Sequence, residues 1–79
     1  MHNHQIKHLI LETTKQNASL IYFILEANDN LCFYSTLDFE TGEALRRISI
    51  KYPIELSKEM EQTLASLAKF APFQKIDPA

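Results

Sequence analysis

ASLIYFILEANDNLCFYSTLD, residues 18–38, can be read in two ways, as a helix followed by a strand or as a hairpin of two strands. LIYFIL, residues 20–25, is dense in aromatic and β-branched side chains. It therefore suits a buried strand paired with Leu31 to Leu37 across EANDN as well as it suits a helix. The flanks favour the helix. Asn17 is a residue type whose side-chain oxygen accepts from the first free amides, Glu26-Ala27 prolong the run, and Asn28-Asp29-Asn30 make a polar stop that tolerates left-handed backbone. A helix is expected over Ala18 to Ala27, with Leu20, Ile24 and Ala27 on one face and Ile21 and Leu25 beside it.

Upstream, Gln5 to Thr13 sets Ile6, His8 and Ile10 against Lys7, Leu9 and Leu11, the alternation of a short strand. Downstream, LCFYSTLDF alternates Leu31, Phe33, Ser35 and Leu37 with Cys32, Tyr34 and Thr36. Both sets are partly apolar, so this strand is expected to be central or covered on both faces. Asp38-Phe39-Glu40-Thr41-Gly42 holds the one glycine of the chain, where positive φ suits a hairpin loop. The return strand, Glu43 to Tyr52, puts Ala44, Ile48, Ile50 and Tyr52 on a buried face and Leu45, Arg47, Ser49 and Lys51 on a wet one. After Pro53, Ser57 is placed to cap a second helix, with Glu59 and Glu61 near its start. Met60, Leu64, Leu67, Ala68 and Ala71 recur at the spacing of one helical face, and Pro72 ends the run. Phe73 to Ile76 can add a last strand. The succession β-α-β-β-α(-β) predicts an α+β, ferredoxin-like (split βαβ) domain with two helices on one face of a small antiparallel sheet.

Composition narrows the function. Seventy-nine residues leave room for one domain only, with residues 1–4 expected as a disordered tail. The chain is 46% hydrophobic and 23% charged, ordinary values for a folded protein. A net charge of −2 weighs against nucleic acid, since phosphate backbones are bound by clustered Lys and Arg. No apolar run approaches the roughly 20 residues of a membrane-spanning helix, and the N-terminus lacks a signal-peptide pattern. With Cys32 as the sole cysteine, an internal disulfide is impossible, and a reducing, cytoplasmic setting is expected.

No self-contained catalytic constellation emerges, and no cofactor or metal is implied. His2, His4 and His8 form H-x-H-x3-H, but they read as tail and strand and do not present ligands at helical spacing. Cys32 has no histidine near it in sequence to activate a thiolate, which favours a buried apolar role. Glu12, Glu26, Asp29, Asp38 and Glu40 stand in no catalytic spacing. Arg46 shares parity with Ile48 and Ile50, so it sits near a strand end, pairs with a carboxylate, or offers its fork of donors to an anionic ligand.

The segment ASLIYFILEANDNLCFYSTLD, followed by a hairpin and an amphipathic helix, resembles the ACT-like regulatory modules. The resemblance implies a ligand position at the start of the first helix. Asn17-Ala18 stands there in place of Asn-Gly or Pro-Gly, so a side chain occupies the place where backbone should approach a ligand. Asn17, at that position, and Arg46, through its fork of donors, are the candidate ligand-binding residues. ILEANDNLCFYSTLD also resembles a short bacterial family, domain of unknown function 4911, which implies the fold and no activity. The expected function is a non-enzymatic interaction or regulatory module that self-associates, as a dimer, through its open sheet face and binds a protein partner or small ligand. Leu9, Leu11, Cys32 and Tyr34 are the candidate interface residues. The alternative is a small ligand-binding or catalytic domain whose site forms between protomers, with Arg46, Glu26 and Asp38 as residues to test.

Overall fold

β1 (Ile6–Thr14) runs without a loop into α1 (Lys15–Ala27), in a computed structural model that describes residues 5–28 and 31–76. The junction is made by Thr14, whose extended backbone (φ −76, ψ 163) ends the strand while its Oγ1 accepts from the Asn17 amide at 3.2 Å. Asn17 is therefore inside the helix and is not its cap, so the expected start at Ala18 is corrected to Lys15. LIYFIL is helical, as its flanks suggested. The face it buries is the one beside the Leu20, Ile24 and Ala27 stripe. Ala18, Ile21 and Leu25 are buried, whereas Leu20 and Ala27 are exposed and Ile24 is half-buried. A run apolar on every side leaves that choice to the sheet beneath.

β2 (Phe33–Thr36) and β3 (Leu45–Pro53) follow. They are joined by a loop in which the Glu43 amide donates to Glu40 O at 3.0 Å and Gly42 takes φ 90. A single 3-10 turn, Ile54–Leu56, then leads into α2 (Ser57–Phe70), and β4 (Gln74–Ile76) is the last element among the described residues. Ser57 Oγ donates back to Ile54 O at 2.7 Å, so Ser57 ties the 3-10 turn to the helix and does not cap it. α2 buries Met60, Leu64 and Leu67, with Ala71 just beyond its end. Ala68, expected on the same stripe, is exposed.

The four strands form one antiparallel sheet in the order β2-β3-β1-β4. β1 and β2 thus flank β3, and β3 and β4 flank β1, which is the split βαβ arrangement. β2 is an edge strand with Phe33 exposed on one face, which corrects the expectation that it is central or covered on both faces. Leu11, Ile48, Ile50 and Tyr52 meet both helices in one core with Ile21, Leu25, Met60, Leu64 and Leu67. Both helices therefore cover the same face. Each large side chain buried there contributes about 1.5–3 kcal/mol of transfer free energy.

Candidate functional site

Register decides which residues the helices leave uncovered. Leu9 lies opposite Ile50, Leu11 opposite Ile48, and Tyr34 opposite Ile50, and directly opposed residues share a face of the sheet. Leu9, Leu11, Cys32 and Tyr34 therefore do fall together, but under the helices. Leu11 is 0% exposed, and Leu9, Cys32 and Tyr34 pack against the core. Their expected position on the open face is corrected. Tyr34 is further held from above by α1: its ring stacks on Tyr22 at 5.4 Å between centroids and 22° between planes, and the Tyr22 hydroxyl bonds to that of Thr36.

The uncovered face is made by the opposite parity. Phe33, Lys51 and His8 form one row across β2, β3 and β1; Ser35, Ser49 and Ile10 form the next, extended by Ile76 of β4; Arg47 and Glu12 follow. Phe33 is 76% exposed, Ile6 54% and Leu45 39%. Between them two sets of polar groups are paired: Arg47 Nε donates to Glu12 Oε2 at 3.0 Å, Arg47 Nη1 lies 3.6 Å from Glu43 Oε2, and His8 Nε2 shares a 2.6 Å hydrogen bond with Ser49 Oγ. Ser49 keeps only 8% of its surface, although no helix lies over it.

Arg46 and Asn17 are not brought into one site. The Arg46 guanidinium lies 3.6 Å from the centroid of the Phe39 ring and donates from Nη1 to Glu43 O at 2.6 Å and Leu45 O at 2.9 Å. Asn17 Nδ2 instead reaches Pro72 O at 3.4 Å, beside the 2.8 Å bond from Thr13 Oγ1 to the same carbonyl. The role of Phe39 escaped sequence reasoning, because it depends on how the β2–β3 loop folds back. Phe33 could have been found: once Ile48 and Ile50 are taken as buried, antiparallel pairing puts the Tyr34 parity under the helices and Phe33 outside.

Among the described residues, no cluster of His, Cys, Asp and Glu could hold a metal ion; His2 and His4 lie outside them, as do Asp29 and residues 1–4. No helix of the described residues is long and apolar enough to cross a membrane. A groove of about 530 Å³ runs between the end of α1 and the start of α2, floored by Ile24, Leu31 and Leu56. The family model described as domain of unknown function DUF4911 matches residues 11–70. The chain belongs to the DUF4911 family. No curated protein matches it. In this DUF4911 domain the matched span takes in α1, β2, β3 and α2 whole, with residues 11–14 of β1, and stops before β4.

Cys32 of the DUF4911 domain is half-buried, and that burial pushes its thiol above the ordinary value. Partial burial, and then the Glu26 carboxylate, act in the same direction on the Tyr34 phenol. Less thiolate is present at neutral pH than in a free cysteine, so Cys32 is a poor nucleophile. The iodoacetamide reaction rate should rise with pH along a curve displaced to higher pH than that of the urea-unfolded chain; coincident curves would contradict the burial. The unfolded chain loses these protons first, so the associated stability is intact below the unfolded values and declines as pH rises past them toward the folded values.

Proposed function

We propose that this DUF4911 domain is a non-enzymatic interaction module that associates with a second copy of itself through the uncovered face of its sheet, in a cytoplasmic setting suited to its free thiol. The observation that carries this reading is Phe33, a large aromatic side chain three-quarters exposed on a sheet face that neither helix covers. Ile6, Ile10 and Ile76, and Leu45 at the other end of β3, add apolar surface to the same face. A second copy is favoured over an unrelated partner because the Glu12–Arg47 pair on the central strands is self-complementary. In an isologous interface the same patch meets itself, and two Glu12–Arg47 pairs can exchange partners without leaving a charge alone.

Sedimentation velocity at micromolar concentration is expected to show a dimer for the parent chain and a monomer for Phe33→Asp, with unchanged far-UV circular dichroism. A parent that stays monomeric across the concentration range, or a Phe33→Asp variant that dimerises as the parent does, would refute it. A second reading, an enzyme whose site is completed between protomers, draws on the His8–Ser49 hydrogen bond, since a serine beside a histidine is a nucleophile beside a base. Ser49 is nearly closed to solvent, so a fluorophosphonate should leave it unlabelled; stoichiometric labelling of Ser49 would favour the enzyme.

A further inference from the structure

Two adjacent arginines meet opposite fates. Arg47 is neutralised by Glu12 and Glu43 on the uncovered face. Arg46, on the helix side, has no carboxylate partner among the described residues, and only its Nη1 is used, by two backbone carbonyls. Stacking on Phe39 and those two bonds hold the guanidinium in one orientation, with Nε and Nη2 left as donors. Arg46 lines a small pocket of about 200 Å³ together with Lys15, Ser19 and Tyr22 of α1, Thr36 of β2 and Phe39 of the loop. Lys15 has no ion pair among the described residues either. No acidic side chain lines this pocket, in a chain whose acidic residues outnumber its basic ones. The loop carboxylates Asp38, Glu40 and Glu43 line another groove with Arg47, and Phe39 lines both.

We infer that this pocket binds the phosphoryl group of a small phosphate monoester. Two cations with no acid between them repel each other, and a dianion relieves that repulsion. A phosphate monoester has a charge of about −1.5 to −2 near neutral pH, which matches one lysine and one arginine. Its three acceptor oxygens also match donors arriving from α1, β2 and β3, whereas a planar carboxylate would be saturated by the arginine fork alone. Binding here leaves the uncovered sheet face free, so it stands or falls separately from self-association.

The test is a titration of the full ¹⁵N-labelled chain with inorganic phosphate, followed by ¹H–¹⁵N correlation spectra and set against sodium chloride and sodium acetate at matched ionic strength. Saturable shifts are expected at the amides of Lys15, Ser19 and Thr36 and at the Arg46 side-chain Nε–H, with weaker affinity as salt rises. Lys15→Gln should weaken binding by about tenfold or more, the effect of losing one charge-assisted hydrogen bond. Lys15 is exposed at the first turn of α1, so this variant keeps the fold even where Arg46→Ala does not. Shifts that are linear in phosphate, that chloride or acetate reproduce, or that Lys15→Gln leaves unchanged would overturn the assignment.

Discussion

Leu11→Ala is expected to lose about 2–5 kcal/mol of folding stability in urea titrations, with little change in the slope of the transition. Leu11 sits on a central strand, opposite Ile48 on one side and Lys75 on the other, and no part of its surface is exposed. Truncation therefore leaves a cavity under both helices that the rigid sheet cannot close. A chain of 79 residues has a total stability of roughly 4–12 kcal/mol, so this one substitution removes a large fraction of it. Leu11→Asp goes further, since an unpaired carboxylate in that core has no partner to offset its desolvation. It should yield an unfolded chain. Phe33→Asp, on the opposite face, should leave the stability of the monomer itself within about 0.5 kcal/mol, as surface changes usually do, and lose only the concentration-dependent part that self-association adds. The contrast is diagnostic of the face assignment: a folded Leu11→Asp beside an unfolded Phe33→Asp would mean that the two faces had been exchanged.

The same contrast marks where the sequence was legible. α2 could be read because its buried residues, Met60, Leu64 and Leu67, stand among polar neighbours and define one stripe. The alternation of β3 could be read because Ile48, Ile50 and Tyr52 face polar Ser49 and Lys51 across the strand. In β1 and β2 both parities are partly apolar, so alternation grouped Leu9, Leu11, Cys32 and Tyr34 on one face without saying which. Only the pairing of Leu11 with Ile48 settles that. The uncovered face lacked a sequence signature for a related reason: Ile6, Ile10 and Phe33 look like core residues, and what exposes them is that both helices pack on the other side. The start of α1 was misplaced because Thr14 and Asn17 are both good caps, and the chain uses the first of them to end a strand as well. The pocket at Arg46 was half legible. The free arginine could be suspected from its parity, but Phe39, Lys15 and Thr36 meet it only through the β2–β3 loop and the helix start.

Thr13→Val is expected to cost about 0.5–1.5 kcal/mol, the net worth of one hydrogen bond, because the Pro72 carbonyl it leaves behind is on an exposed residue. Thr13 is 4% exposed and its Oγ1 donates to Pro72 O at 2.8 Å. Valine preserves the shape and suits a strand at least as well, so the loss reports the hydrogen bond alone. Asn17 Nδ2 is the remaining donor to that carbonyl, but at 3.4 Å and with Asn17 itself partly in solvent it is a weak substitute. Asn17→Ala should therefore cost less than Thr13→Val. The bond fastens the turn between α2 and β4 onto β1, and β4 is itself paired through only three residues, Gln74, Lys75 and Ile76. A strand that short is held by its anchor more than by its ladder. Hydrogen exchange in Thr13→Val should accelerate at residues 74–76 while β3 keeps its protection. Ile76 borders the uncovered face, so dimerisation should weaken in step with that exchange. If Asn17→Ala is the more costly of the two, with β4 protected in Thr13→Val, then Asn17 and not Thr13 is the anchor of the last strand.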